Sequence, residues 1–169
     1  MEIERKFLVD VNKIPVKLDE VKYKVLEQGY LCTQPVVRVR REDEEYYLTY
    51  KGQGLMCREE YNLPLTAEAY THLLPKADGT VIRKKRYLIP LAKADINEEC
   101  LALLPDDRKE LTVELDEFAE PFAPLLLAEV EFPSKESAEA FHLLPWFTED
   151  VTEDPRYHNS NMSKKEPSN

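Results

Sequence analysis

Charged residues separated by a single position recur along this sequence, and their types are those that bind phosphate groups and metal ions. The set comprises Glu2, Glu4 and Lys6; Arg38 and Arg40; Lys51, which follows the polar Thr49 at the same spacing; Arg58 and Glu60; Lys84 and Arg86; Glu114 and Asp116; and Glu129 and Glu131. Arginine binds phosphate oxygens through a planar fork, and lysine adds a point charge. Carboxylates are hard oxygen ligands that suit Mg²⁺ or Mn²⁺. A site with both would suit a polyphosphate bound with a divalent metal ion, where a metal-held water attacks a terminal phosphorus.

The segments that carry these pairs alternate as β-strands do. Side chains at positions i and i+2 of a strand point to the same face of the sheet. Arg38 and Arg40 therefore share one face, while Val37 and Val39 share the other. The same alternation predicts one charged face and one apolar face for most of the strands.

Two interpretations of the charged faces remain open. In the first, they face water on a half-exposed sheet. In the second, they converge on an enclosed cavity, where like charges need an opposite partner. Two carboxylates at i and i+2 lie roughly 6–7 Å apart and repel by about 2–3 kcal/mol at an effective dielectric constant near 20. A divalent cation would offset this repulsion, as bound phosphate would for paired arginines, and the scarcity of Ser, Asn and Gln on these faces favours this interpretation.

Eight strands joined mostly by short turns predict an antiparallel sheet that closes on itself. The fold class is α+β, mainly β: an eight-stranded antiparallel closed β-barrel with a few short surface helices. The strands are predicted at residues 2–9, 25–31, 36–42, 46–51, 57–65, 80–89, 111–118 and 125–132. Helices are predicted at residues 68–74, 94–107 and 136–144, with Thr66 and Ser134 as N-caps.

Length and composition limit the classes of protein. The 169 residues suit one domain, and the net charge of −10 disfavours nucleic-acid binding. Neither a membrane-length apolar run nor the apolar core of a signal peptide is present, which predicts no membrane partner and a cytoplasmic location. Three separated cysteines predict free thiols, and three histidines lack metal-ligand spacing.

The opening Glu2-Ile3-Glu4-Arg5-Lys6 resembles the E-x-E-x-K signature of the CYTH superfamily, also called triphosphate tunnel metalloenzymes. The later strands occur in the same order as in that family, and the resemblance covers almost the whole chain. The further matching segments are Arg38–Arg40, Thr49–Gly52, Arg58–Tyr61, Lys84–Tyr87, Glu114–Phe118 and Ala128–Glu131, followed by Thr152, Asp154–Tyr157 and Asn159–Asn161.

The resemblance implies an eight-stranded tunnel, open at both ends, and a role for each charged residue. The implied metal ligands are Glu2, Glu4, Glu114, Asp116, Glu129 and Glu131. The implied triphosphate-binding residues are Lys6, Arg38, Arg40, Lys51, Arg58, Lys84 and Arg86. The residues implied to take part in catalysis are Glu4, Lys6, Asp116, Glu129 and Glu131. Glu60 is either a ligand or a partner that orients a cation, and the Lys84-Lys85 doublet allows two registers, of which the spacing to Arg86 favours Lys84.

The resemblance further implies Mg²⁺- or Mn²⁺-dependent hydrolysis of a small-molecule triphosphate, with inorganic tripolyphosphate first, giving pyrophosphate and phosphate. Two alternatives stay open: a class IV-like adenylate cyclase that forms cyclic AMP from ATP, and a non-catalytic polyphosphate- or nucleotide-binding module. The domain is expected to span residues 1–169, with a polar tail from about 158 to 169. A helical insert at about 91–109 departs from the family pattern, and a tolerated surface insertion is preferred there over a lid.

Overall fold

A computed structural model describes residues 1–106 and 110–164 of the chain. The strands are β1 (Glu2–Val9), β2 (Tyr23–Thr33), β3 (Val36–Glu42), β4 (Glu45–Lys51), β5 (Cys57–Arg58), β6 (Glu60–Pro64), β7 (Asp78–Pro90), β8 (Thr112–Phe118), β9 (Leu126–Glu131) and β10 (Phe147–Asp150). The α-helices are α1 (Ala67–Leu73), α2 (Glu98–Leu103), α3 (Lys135–Ala140) and α4 (Asn159–Met162). Thr66 and Ser134 cap α1 and α3 as predicted, each accepting a hydrogen bond from a backbone N–H in the first turn.

The strands form one antiparallel sheet that curls into a nearly closed barrel. The order around it is β10-β1-β9-β8-β7-β2-β3-β4-β6. The segment from β5 to β6 makes the closure, because Glu60–Pro64 pairs with β4 while Cys57–Arg58 pairs with β1. The predicted antiparallel barrel is confirmed, with two differences in strand count. The predicted strand 57–65 is interrupted at Glu59, and β10 was not predicted.

The larger hydrophobic core lies outside the barrel instead of inside it. The apolar faces of β1, β7, β8 and β9 are covered by α2, α3 and the segment that leads into β10. Phe7 stacks on Phe147 with ring centroids 4.4 Å apart, and Phe141 and Trp146 extend this layer. The apolar half of the alternation thus leaves the charged half free to line the interior.

The predicted insert belongs to this outer core. Ile96, Cys100 and Leu104 are buried in it, and the backbone from Glu98 to Leu103 is helical as α2. Residues 107–109 of the predicted helix lie outside the described residues. The described part of the connection packs against the outer face of the barrel, and its role as a tolerated surface insertion stays a prediction. Among the described residues, no helix combines the length and the hydropathy needed to cross a membrane.

A second apolar cluster fills one end of the barrel interior. Tyr30, Ile82, Phe118 and Leu127 point inward from four strands, and they meet Val151 from the segment after β10. Tyr157 and Met162 of the same C-terminal segment pack on this cluster. The resemblance implies an opening at both ends, whereas in the structure apolar side chains and the C-terminal segment occupy this end.

The predicted polar tail is part of the fold up to the end of the described residues. His158 and Ser163 are 3% and 1% exposed, and the Ser163 carbonyl accepts a 2.7 Å hydrogen bond from the backbone N–H of Thr80. Residues 165–169 of that tail lie outside the description. The folded part of the tail therefore lies against the start of β7.

Replacement of Gly79 by alanine is expected to displace this C-terminal segment from the start of β7. Gly79 has a φ of +69°, and an added Cβ would lie 1.9 Å from the Ser163 carbonyl oxygen. We expect Gly79→Ala to lower the free energy of unfolding by about 2 kcal/mol, measured by urea denaturation. Gly52→Ala is the control, because its Cβ would meet an ordinary 3.4 Å contact. Equal stability of the two variants would contradict the assigned packing.

Candidate active site

The barrel encloses a polar cavity of about 370 Å³. Thirteen of the fourteen charged residues predicted for the site line it, so the second interpretation of the charged faces is the one that the structure supports. Those residues are Glu2, Glu4, Lys6, Arg38, Arg40, Lys51, Arg58, Glu60, Lys84, Arg86, Glu114, Glu129 and Glu131. Lys84 is buried in the cavity wall while Lys85 is exposed, so Lys84 is the lysine that shares the inner face with Arg86.

The inward-facing side chains change character along the strands, from acidic at the mouth to apolar at the closed end. On β9, Glu131 is exposed, Glu129 is 6% exposed and Leu127 is fully buried. On β8 the same direction runs from Glu114 through Asp116 to Phe118, with 39% of the Glu114 side chain exposed and none of Asp116. The cavity is therefore a cup with a carboxylate-rich mouth.

One wall of the cavity pairs cations with carboxylates. Lys6 Nζ donates to Glu4 at 2.7 Å and to Glu129 at 2.6 Å. Arg86 donates to Glu129 at 2.6 Å, to Glu114, and to both oxygens of Asp116 at 2.7 Å. These charge-assisted bonds fix the directions of the side chains before any ligand arrives.

Asp116 is the predicted site residue that does not line the cavity. It is fully buried behind the wall, where its oxygens accept from Arg86 and from Lys84 Nζ at 2.5 Å. From this position Asp116 can orient the side chains of Lys84 and Arg86, but it does not face a ligand in the cavity.

The opposite wall has arginines that the described carboxylates do not neutralise by direct bonding. Arg38 is 5% exposed and donates from Nη2 to Thr49 Oγ1 at 3.1 Å, while its buried Nε has no hydrogen-bond partner among the described residues. Arg40 donates from Nε to the side-chain oxygen of Gln28 at 3.0 Å, and Glu42 is 4.0 Å away. Buried guanidinium groups without close carboxylates favour an anionic ligand.

Gln28 connects Arg40 to the C-terminal segment. It is fully buried, and its amide nitrogen donates to Tyr30 Oη at 2.9 Å and to Asn159 Oδ1 at 3.2 Å. The same Asn159 oxygen accepts from Lys84 Nζ at 2.9 Å. The residues of the closed end thereby hold two cations of the cavity in place.

Enclosure changes the proton affinities of several groups in the cavity. Burial lowers the pKa of Lys84 to about 8 against the attraction of Asp116, which has the opposite effect. Burial, with repulsion from Arg38 and Arg86, lowers the pKa of Arg40 to about 10. Burial is the main cause of both shifts, and repulsion from neighbouring arginines adds to it.

The carboxylates near the mouth repel one another. Burial raises the pKa of Glu131, and repulsion from Glu2, Glu114 and Glu4 raises it further. In residues 1–106 and 110–164, no three or more His, Cys, Asp or Glu side chains already stand in an arrangement that could hold a metal ion. Mg²⁺ keeps several of its waters in proteins and is usually completed by substrate phosphates beside the protein carboxylates, so a preformed cluster is not required. The donor set and its mutual repulsion therefore fit a hard divalent cation.

Sequence reasoning missed several residues that line the cavity. Glu42, Asn62 and Val36 each lie two positions from a predicted site residue, so the same alternation could have identified them. His158, Asn159 and Ser160 also line it, and they come from a short segment without strand periodicity. Asn159 and Ser160 belong to a segment that resembles the family's C-terminal motif, but the resemblance was not used to assign them a site role.

The sequence profile of the CYTH domain family matches residues 1–166. The chain belongs to this family. The charged, enclosed barrel is thus a CYTH tunnel fold, and the family resemblance noted in the sequence is confirmed. An inorganic triphosphatase of Nitrosomonas europaea is 35% identical over 98% of this chain and 99% of its own length. An inorganic triphosphatase of Acetivibrio thermocellus is 33% identical over 96% of this chain and 93% of its own length.

Solved structures agree with this membership. The crystal structure of an inorganic triphosphatase is 34% identical, with a TM-score of 0.63, over 99% of this chain and 97% of its own. A Bacillus halodurans protein described as a possible adenylate cyclase is 14% identical, with a TM-score of 0.52, over 100% of this chain and 94% of its own. At that identity the second likeness shows the CYTH fold alone.

Proposed function

We propose that this protein hydrolyses inorganic triphosphate to pyrophosphate and phosphate with the help of Mg²⁺ or Mn²⁺. The proposal is carried by one observation: the same cavity has a wall of arginines that lack close carboxylates and an opposite wall rich in carboxylates. The names of the two relatives, which match over nearly their full length, agree with it.

The cations of the cavity bind the phosphate chain in this proposal. Arg38 and Arg40 take phosphate oxygens directly, because they have donors to spare, and Lys51 and Arg58 add charge beside them. Lys6, Lys84 and Arg86 are held by carboxylates and present a fixed positive surface to the charge that develops as the phosphoanhydride bond breaks.

The carboxylates divide into two roles. Glu2, Glu4, Glu129 and Glu131 would hold the divalent ion, with Glu114 near it, and the bound ion would supply Lewis-acid chemistry. Asp116 and Glu60 orient cations: Asp116 holds Lys84 and Arg86, and Glu60 lies 3.3 Å from Lys51.

Little in the cavity favours a nucleoside substrate. Among the described lining residues, only Met1, Tyr30, Val36 and the imidazole of His158 offer an apolar or ring surface. A base would need such a surface to stack on, whereas a bare phosphate chain needs only charge. This favours inorganic triphosphate over ATP and hydrolysis over cyclisation.

A substrate panel tests the proposal. Purified protein with Mg²⁺ or Mn²⁺ is expected to release phosphate from tripolyphosphate, to act more slowly on ATP, and to form no cyclic AMP. Phosphate, pyrophosphate and cyclic nucleotide are measured together, and excess chelator is expected to stop the reaction. Cyclic AMP as the main product would establish the cyclase alternative instead, and tight binding without turnover in either metal would establish a binding module.

A further inference from the structure

The cup has one open end, and this determines where a longer substrate would extend. Apolar side chains of Tyr30, Ile82, Phe118 and Leu127 and the C-terminal segment fill the other end. The cations that would bind phosphates lie between that layer and the mouth. A phosphate chain with more than three units could therefore extend only through the mouth.

Carboxylates stand on both sides of the mouth. Glu131 and Glu114 stand on β9 and β8, and Glu42 stands across the opening on β3, four places from β9 around the barrel. Glu42 is absent from the proposed set of metal-holding residues. Its charge therefore still faces any group at the mouth when a divalent ion is bound on the other side.

Glu42 is held at this position by two contacts. Lys24 Nζ donates to Glu42 Oε1 at 2.5 Å, and the other oxygen, Oε2, is 4.0 Å from Arg40 Nη1. Only 18% of the Glu42 side chain is exposed, and although burial acts to raise its pKa, the hydrogen bond from Lys24 and the charges of Lys24 and Arg40 lower the pKa overall. Glu42 is therefore an ionised, restrained carboxylate 4.0 Å from Arg40, a cation that would bind phosphate in the proposed function.

We propose that Glu42 is a specificity-determining residue that restricts the site to chains of three phosphates. The inference rests on the proposed function. The guanidinium of Arg40 offsets the repulsion between the Glu42 carboxylate and a phosphate bound beside it, whereas a fourth phosphate that continues toward the mouth meets the carboxylate without that offset. A negative side chain at the exit thus selects by length without contacting the reacting bond.

The test compares kcat/KM for tripolyphosphate and tetrapolyphosphate in the presence of Mg²⁺. We expect the wild-type protein to prefer tripolyphosphate. We expect Glu42→Gln to raise the tetrapolyphosphate-to-tripolyphosphate ratio about tenfold, since it removes one charge several ångströms from the fourth phosphate. Glu42→Asp keeps the charge and is expected to keep most of the preference.

A matched control lies two residues away. Glu44 is on the same turn, is 85% exposed in its side chain and pairs with Arg41 on the outer surface. Glu44→Gln makes the same change in net charge and is expected to leave the ratio unchanged. If the ratio of kcat/KM changed equally in both variants, the change would come from the net charge of the protein, and the assignment to Glu42 would be overturned.

The outcomes separate this inference from the proposed function. Tripolyphosphate hydrolysis with an unchanged ratio in Glu42→Gln would overturn the role of Glu42 and leave the proposed function standing. Absence of hydrolysis in the wild type would overturn the proposed function. In that case Glu42 is tested by calorimetry. The dissociation constants of tetrapolyphosphate and tripolyphosphate are measured, and Glu42→Gln is expected to change their ratio about tenfold in favour of tetrapolyphosphate.

Discussion

Replacement of Glu4 by glutamine is expected to lower kcat for tripolyphosphate by about a thousandfold with either Mg²⁺ or Mn²⁺. Glu4 is 8% exposed, lines the cavity and accepts from Lys6 at 2.7 Å. The amide keeps the shape of the side chain but removes a hard anionic ligand. It also leaves the Lys6 ammonium with Glu129 as its remaining carboxylate partner. Both losses act on the groups that would hold the metal and stabilise the developing charge.

Metal binding and a matched control make this test specific. Calorimetric titration with Mn²⁺ is expected to show at least about tenfold weaker binding to Glu4→Gln. Glu117→Gln serves as the control, because Glu117 is exposed on the outer face of β8 next to Asp116. The control is expected to keep wild-type activity. Equal phosphate release by Glu4→Gln and the wild type would remove Glu4 from the proposed machinery.

The period of two was sufficient to predict the inner wall of the barrel. Strand faces are fixed by geometry, so Arg38 and Arg40, once placed in a strand, must share a face. The period could not predict how deeply each inward-facing side chain is buried below the mouth of the barrel. Glu114 and Asp116 have the same spacing, yet 39% of the Glu114 side chain is exposed while Asp116 is fully buried behind two cations. Depth depends on the curvature and stagger of the whole sheet.

Elements that depend on distant partners were the ones that the sequence did not reveal. The four residues of β10 pair with β1 from a position about 140 residues later, and three of the four are exposed. Their strand character comes from that pairing and not from local alternation. The position of His158 and Asn159 likewise depends on the contact between Ser163 and the turn at Gly79.

Because the barrel interior is charged, most of the stabilising apolar packing lies on the outer face of the barrel. A closed sheet normally fills its interior with apolar side chains, but here only the closed end is filled that way. Charged groups that are buried must be paired or held by hydrogen bonds. The paired wall satisfies this rule within the protein, whereas the arginine wall satisfies it only with a bound anion. The arginines without carboxylate partners therefore lower the stability of the free protein, while they provide the binding site for the anion.

Replacement of Arg38 by methionine is expected to separate these two effects. Its guanidinium has one protein hydrogen bond, to Thr49, and a buried Nε without a partner among the described residues. Loss of its phosphate-binding fork is expected to lower kcat/KM for tripolyphosphate by about a hundredfold to a thousandfold. Removal of a buried cation without a close carboxylate is expected to raise the free energy of unfolding by about 1 kcal/mol.

Two further variants assign the cause. Arg38→Lys keeps the charge but cannot bind two phosphate oxygens at once, so its kcat/KM is expected to lie between those of the wild type and Arg38→Met. Arg41→Met changes an exposed arginine on the outer face of β3 and is expected to leave activity unchanged. A variant Arg38→Met that is less stable than the wild type yet fully active would mean that Arg38 supports the barrel. Lower activity together with higher stability would mean that the positive charge of Arg38 is retained for the phosphate chain it binds.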